Sequence, residues 1–240
     1  MEPGMSRNNR ISSTVTGLLA QSGYHGTLAT LLRQIACRRE RDDVRILNAG
    51  AGKNTWLEDT LCERGVSCRV DRLDVIDAEV THPLVDQTFR ASIENMFPVQ
   101  SETYDFIVAT YVLEHVPDLS RSVTEMGRVL KPSGALIAAL PNVLAPEFLV
   151  ARLTPHAFHL YFQPQATPTH YAYWSLKSLV AEFAAAGVIL TESHFAPIVS
   201  LYCQRLPRPF HVLGAAYDNV VARFGLQTLM GDALLTLVRR

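Results

Sequence analysis

The sequence predicts an α/β protein, a mostly parallel sheet with helices on both faces, and three observations carry that prediction. Short apolar runs alternate along the chain with stretches in which apolar residues recur three and four positions apart. The first run, Val44 to Leu47, ends in the glycine-rich turn AGAGKN and leads directly into a helical stretch, Thr55 to Arg64. The chain is 240 residues long and 48% apolar, enough for one large domain with its own core.

Taken in order, the chain opens with a helical region from about Thr14 to Arg39. Leu28, Leu31, Leu32 and Ile35 give it one apolar face, and Gly23 and Gly26 predict a break into two pieces. The charged cluster Arg38 to Asp43 reads as a surface connection. After the Val44 strand and its helix, Val66 to Leu73 reads as a second strand, interrupted by arginines and Asp71. Tyr104 to Ala109 is a clear buried strand. Leu119, Val123, Met126 and Leu130 mark a helix face expected to stop at Pro132-Ser133-Gly134, before a strand over Ala135 to Leu140. Leu176, Leu179, Val180 and Phe183 form a further helix face closed by Gly187. Val188 to Leu190 leads the next strand, and Asp232 to Val238 is the final one.

Composition narrows the functional classes. Lys plus Arg total 22 against 23 acids, and Glu58 to Glu125 holds 14 acids against 5 basic residues. So acidic a middle is a poor reader of phosphate backbones, so no nucleic-acid partner is expected. Cys37, Cys62, Cys68 and Cys203 have neither CxxC nor zinc spacing and are expected to be buried free thiols of a reducing compartment. No apolar run reaches 18 residues, and MEPGMSRNNR lacks the apolar centre of a signal peptide, so a cytoplasmic protein without a membrane span is expected. The oligomeric state is not legible.

Pro141 to Trp174 does not follow the alternation. It holds seven of the chain's twenty aromatic residues, while Pro146, Pro155, Pro164 and Pro168 prevent a long helix. It reads as a lid or pocket wall. His156, His159 and His170 fall in it, but no acid lies between Glu147 and Glu182 to complete a metal set, so no metal is expected. Tyr173 and Lys177 match the YxxxK pair of short-chain dehydrogenases, yet the glycine pattern is wrong for a dinucleotide, because Asn54 stands where a third glycine belongs.

Gly50 and Gly52 follow a strand and precede a helix, the setting in which a ligand approaches backbone closely. Asp74 lies 24 residues after Gly50, near the offset at which a carboxylate reaches ribose hydroxyls, with Asp71 as the alternative if the strand ends earlier. The stretch YDFIVATYVLEHVPDLSRSVTEMGRVLKPSGALIAALPN, Tyr104 to Asn142, closely resembles the second half of class I S-adenosylmethionine-dependent methyltransferases. Val112 to Asp118 matches their V-L-E-H-V-P-D element and Leu130 to Gly134 their L-K-P-x-G turn, with NAGAG in place of (E/D)-x-G-x-G. The resemblance covers about residues 44 to 142 and continues weakly through Ser175 to Gly187.

That resemblance implies a Rossmann-like, seven-stranded, mostly parallel sheet with the last strand antiparallel. One domain is expected, with an N-terminal helical cap (1–43), a cofactor core (44–142), a lid insertion after the fifth strand (143–174) and the C-terminal half of the sheet (175–240). The implied cofactor is S-adenosyl-L-methionine, with S-adenosyl-L-homocysteine as product. Its site is expected at Asn48, Ala49, Gly50, Gly52, Asp74, Ser92, Ile93, Glu94, Thr110 and Tyr111. Asn48 replaces the usual acid of the first position, and Ser92 replaces an Asp in the loop after the third strand. Tyr24, His25, Asn142, His159, Tyr171 and Tyr173 are expected to line the acceptor side. His115 and His170 are the candidate bases, because imidazole accepts a proton near neutrality. Glu114 reads as a hydrogen-bonding residue of the turn or as the partner of His115. The implied function is methyl transfer to a neutral small-molecule acceptor, with a hydroxyl oxygen favoured over nitrogen or carbon. The alternative is a protein of this fold that binds the cofactor without transferring the methyl group.

Overall fold

The computed structural model describes residues 23–37, 44–153, 172–204 and 206–240. In chain order the elements are α1 (Gly23–Cys37), β1 (Val44–Ala49), α2 (Trp56–Glu63), β2 (Cys68–Asp74), β3 (Val85–Arg90), β4 (Tyr104–Thr110) and a short 3-10 turn (Leu113–His115). There follow α3 (Leu119–Val129), β5 (Leu130–Pro141), α4 (Pro146–Leu153), α5 (Leu176–Ala185), β6 (Val188–Ala196), α6 (Val199–Cys203), α7 (Arg208–Phe224), a second 3-10 turn (Gln227–Leu229) and β7 (Asp232–Arg239).

The seven strands form one sheet in the order β3-β2-β1-β4-β5-β7-β6. Pairings from β3 through β5 are parallel, whereas β7 runs antiparallel to both β5 and β6. The central strands are buried on both faces and are therefore apolar almost throughout, as parallel strands between helices must be. Ile46, Val70, Phe106, Val108 and Ile137 face one layer with Leu31 of α1 and Leu57 and Leu61 of α2. Leu47, Leu73, Ile107, Leu136 and Ala138 face the other, with Val123 and Met126 of α3 and Leu179 and Phe183 of α5. Each fully buried aliphatic side chain of this kind stabilises the fold by roughly 1.5–3 kcal/mol.

Local chemistry fixes the helix ends. The Asp118 side chain accepts the Arg121 N–H at 3.0 Å and starts α3. Ser175 and Ser178 form a reciprocal capping box at the start of α5. Gly225, at φ 62°, closes α7 in the left-handed conformation.

Several expectations need correction. The helix is unbroken after Gly23: α1 starts there, at φ 54°, and runs to Cys37 with Gly26 buried inside it, while the piece expected before Gly23 lies outside the described residues. The helix over Leu119 does not reach the Pro132-Ser133-Gly134 turn. It ends at Val129, and β5 begins at Leu130, which pairs with Tyr104, while Lys131 Nζ lies 2.8 Å from Asp105 Oδ2. The thiols are free but not buried: Cys37 and Cys62 are exposed, Cys68 and Cys203 half-buried. Of the segment expected to form a lid, α4 and the stretch from Ala172 are described; His156, His159, His170 and Tyr171 lie outside the described residues. Among the described residues no helix is long and apolar enough to cross a membrane.

The strand order reverses direction between β1 and β4, and ligands of open α/β sheets bind outside the carboxyl ends of strands at such a switch point. Here that places the AGAGKN turn beside the Thr110-Tyr111 turn.

Candidate active site

The glycine turn leaves β1 after Ala49. Gly50 and Ala51 donate their N–H groups to Leu73 O of β2, at 2.8 and 3.3 Å. Gly50 and Gly52 have φ of 69° and 60°, a region that favours glycine. Their surroundings differ. A Cβ on Gly50 would stand 2.3 Å from Val112 Cγ2, so this glycine is needed for the turn to pack on the segment after β4. A Cβ on Gly52 would meet only Asn54 Nδ2, at 3.7 Å, so the turn is open on that side.

Asp74 is the last residue of β2. Its Oδ2 accepts the Gly52 N–H at 2.8 Å and its Oδ1 the Ile76 N–H at 3.0 Å. Asp71 lies three residues earlier on β2, buried, where it accepts the Tyr104 hydroxyl at 2.8 Å and faces Arg45 Nη2 at 3.3 Å. Burial pushes its carboxyl above the ordinary range.

Beneath the turn is a buried ion pair with no counterpart among the expected site residues. Arg72 of β2 and Glu58 of α2 are 1% and 0% exposed and 2.7 Å apart. Asn48, also buried, donates its Nδ2 to the same Glu58 oxygen at 2.9 Å. The sequence signal is limited to an arginine inside a strand, which when buried needs a carboxylate; which carboxylate is not encoded by spacing.

On the other side of the switch point, Thr110 ends β4 with its Oγ1 buried and without a hydrogen-bond partner among the described residues. Tyr111 follows at φ 56°, and its hydroxyl donates to Asp232 Oδ2 at 2.7 Å. Burial and that carboxylate push the phenol upward, so it is held as a donor. Tyr24, nearly half exposed, stacks edge-on against Trp56 and Tyr111, at 4.8 and 5.9 Å between centroids. Glu114 in the 3-10 turn is 3% exposed, and its Oε2 is buried without a hydrogen-bond partner among the described residues. Burial, reinforced by Asp232, pushes its carboxyl up to about 8. His115, partly exposed, places Nε2 4.0 Å from Glu114 Oε1. His25 is exposed on α1.

Other expected residues have structural engagements. Ser92 donates to Glu94 Oε2 at 3.3 Å, and Glu94 Oε1 accepts the Asp118 N–H, tying the loop after β3 to the start of α3. Ile93 is buried in the core. Asn142 gives its Nδ2 to Met230 O at 2.8 Å and Gln227 O at 3.2 Å. Tyr173 is 1% exposed and donates its hydroxyl to Pro141 O at 3.0 Å. Both fasten the end of β5. Asp232, at the head of β7, joins the site through Tyr111, and nothing in its sequence surroundings points to that role. Among the described residues no group of three His, Cys, Asp or Glu side chains is placed to hold a metal ion.

A family profile described as a methyltransferase domain matches residues 20–193, well over half of the chain. The chain belongs to the class I S-adenosylmethionine-dependent methyltransferases. A Mycolicibacterium smegmatis protein described as a probable S-adenosylmethionine-dependent methyltransferase is 26% identical over 147 residues, 61% of this chain and 56% of the relative. The chain thus spans little more than half the length of that relative. A ubiquinone biosynthesis O-methyltransferase of Xanthomonas oryzae is 25% identical over 173 residues, covering 64% of this methyltransferase and 70% of the relative. Among solved structures, the YcgJ protein of Bacillus subtilis superposes with a TM-score of 0.56 at 18% identity, covering 90% and 99% of the two chains. A geranyl diphosphate methyltransferase in complex with GPP and sinefungin superposes at 0.56 with 12% identity, covering 83% and 72%. At such identities these structures share the fold. The residues of the methyltransferase at the switch point fit S-adenosylmethionine: the orphaned Thr110 hydroxyl lacks a partner that a ligand can supply, and the open side of Gly52 leaves room for one.

Proposed function

We infer that the protein transfers a methyl group from S-adenosylmethionine to a hydroxyl oxygen of a neutral small-molecule acceptor. The observation that carries the site is the meeting of three features at the switch point: the orphaned Thr110 Oγ1, the open side of Gly52, and Asp74 at the tip of β2. Asp74 receives the ribose hydroxyls, for which its two oxygens keep lone pairs after accepting one N–H each. Ser92, Ile93 and Glu94 border the adenine, while Asn48, Ala49, Gly50, Thr110 and Tyr111 border the amino-acid end. Bound there, the cofactor supplies a methyl group on a positively charged sulfur. The acceptor oxygen forms the new bond to that carbon as the carbon–sulfur bond breaks, and its proton goes to a base.

His115 is the base within the described residues, partly exposed beside the 3-10 turn at the carboxyl edge of the sheet. His170 is the second candidate and lies outside the described residues, as do His159 and Tyr171 on the acceptor side. The carboxylate of Asp232, on the Tyr111 hydroxyl, would repel an anionic acceptor, while the raised carboxyl of Glu114 adds a polar group that burial keeps protonated near neutrality. Tyr24 and Tyr111 give this side aromatic surface suited to an uncharged ring. The likeness to ubiquinone biosynthesis O-methyltransferases supports oxygen as the atom methylated.

The test is incubation with S-adenosylmethionine and a matched panel of neutral phenols and catechols, amines, and dicarboxylates, read by mass spectrometry. A methyl ether on a neutral hydroxyl is expected. Methylation confined to amines, or to acceptors with two negative charges, overturns the acceptor class. Tight cofactor binding with no transfer to any acceptor favours the reading in which the fold binds the cofactor without transferring its methyl group.

A further inference from the structure

Asn48, Glu58 and Arg72 come from β1, α2 and β2 and meet directly under the glycine turn. Arg72 Nη1 donates to Glu58 Oε1 at 2.7 Å, and Asn48 Nδ2 donates to the same oxygen at 2.9 Å. Arg72 Nη2 donates to three turn carbonyls, Ala51 O at 3.3 Å, Gly52 O at 3.1 Å and Asn54 O at 2.8 Å. Asp74, two residues along the same strand, takes the Gly52 N–H at 2.8 Å. Gly52 is therefore held at its carbonyl by Arg72 and at its amide by Asp74. Among the described residues, Glu58 Oε2 and Arg72 Nε are buried without hydrogen-bond partners, an unsatisfied state that packing alone would not retain.

The charges close only one way. One guanidinium faces one carboxylate, and position 48 contributes a neutral donor. An Asp there would bring a second carboxylate against Glu58 Oε1 where Asn48 now donates, with a single arginine between them.

We propose that Asn48, Glu58 and Arg72 act as one positioning unit that sets the Ala51–Asn54 turn in its cofactor-receiving shape, with Glu58 supplying from α2 the negative charge that position 48 lacks. The proposal rests on the placement of the cofactor between Gly52, Asp74 and Thr110. Its consequence runs against first expectation. Installing the acid that related methyltransferases carry at the first position of this motif weakens cofactor binding here. Arg72→Lys also weakens it, because an ammonium keeps the charge but lacks the planar fork that spans Glu58 and the three carbonyls.

The experiment is calorimetric titration of S-adenosylhomocysteine into wild type, Asn48→Asp, the exchange variant Asn48→Asp/Glu58→Gln, Arg72→Lys and Asp74→Ala, with unfolding followed by circular dichroism. Asn48→Asp is expected to weaken binding about tenfold or more at a temperature where it is still folded. The exchange variant, which moves the acid to position 48 and the amide to position 58, is expected to recover affinity to within about threefold of wild type. Asn48→Asp binding as wild type does, or an exchange variant that does not fold or does not recover, overturns the proposal. If Asp74→Ala loses affinity and Asn48→Asp does not, the positioning unit alone falls. If neither loses affinity, the placement of the cofactor falls with it.

Discussion

Asp71 and Asp74 stand three residues apart on β2 and are held in different ways. Asp74 ends the strand, tied to Gly52 and Ile76 by backbone N–H groups, with its carboxylate at the switch point. Asp71 is 3% exposed and holds the Tyr104 hydroxyl in the core. Asp74→Ala should therefore weaken S-adenosylhomocysteine binding by about 1–3 kcal/mol, through lost hydrogen bonds to a charged group, with a smaller effect on unfolding. Asp71→Ala should lower unfolding free energy by a similar amount, leaving a buried phenol unpaired, with little change in affinity measured on folded protein. The reverse assignment in calorimetry and urea unfolding would exchange the two roles. The sequence offered Asp74, with Asp71 as the alternative, and the end of β2 at Asp74 is what the structure adds. The Arg72–Glu58 pair was not assigned, because residue spacing does not reveal which helix residue faces a buried arginine across the turn.

Glycines 50 and 52 read alike in sequence, and the element they form separates them. At Gly50 an added Cβ collides with Val112, and the positive φ adds strain, so Gly50→Ala should destabilise the fold by about 2–5 kcal/mol. Val112→Ala in the same chain should recover part of that loss, since it removes the atom struck. Gly52→Ala meets open space and should cost about 1–2 kcal/mol of stability from its φ alone, with its main effect on cofactor affinity. Equal destabilisation by both variants would contradict this division. The 3-10 turn after β4 makes a prediction in pH. Glu114 is buried and its carboxyl is raised to about 8, against 4.5 for an ordinary glutamate. Its contribution to stability is present in full below pH 4.5 and is lost as pH rises through about 8, because the folded state holds the proton more tightly. The stability difference between wild type and Glu114→Gln should therefore shift against wild type from pH 5 to pH 9 in urea unfolding. A difference constant over that range would show that Glu114 is not held protonated by its surroundings.

At the scale of the whole molecule, strand–helix alternation sufficed for a parallel α/β sheet because β1, β4 and β5 are buried on both faces, so β4 and β5 carry unbroken apolar runs and β1 a mostly apolar one. The edge strand β3, Val85–Arg90, is half exposed and polar, so it leaves no such run and was implied only by the family resemblance. The antiparallel β7 likewise followed from the resemblance, since an apolar strand does not encode its direction. Asp232 was invisible for the same reason: its place beside Tyr111 depends on β7 entering the sheet next to β5 with Asp232 opposite Pro141. A ligand that binds only the folded sheet must stabilise all of it. S-adenosylhomocysteine at about a hundred times its dissociation constant should raise the unfolding free energy by about 2.7 kcal/mol, visible as a Tm increase of several degrees. No shift at that excess would mean that folded and unfolded chains bind it alike.

The most direct measurement is a crystal structure of the protein with S-adenosylhomocysteine bound. The ribose hydroxyls are predicted to lie within hydrogen-bond distance of Asp74, with the amino-acid end between the open side of Gly52 and the Thr110 hydroxyl, which then gains its partner. A nucleoside bound away from Asp74, with Thr110 Oγ1 still unpaired, would contradict the placement of the cofactor at the β1–β4 switch point.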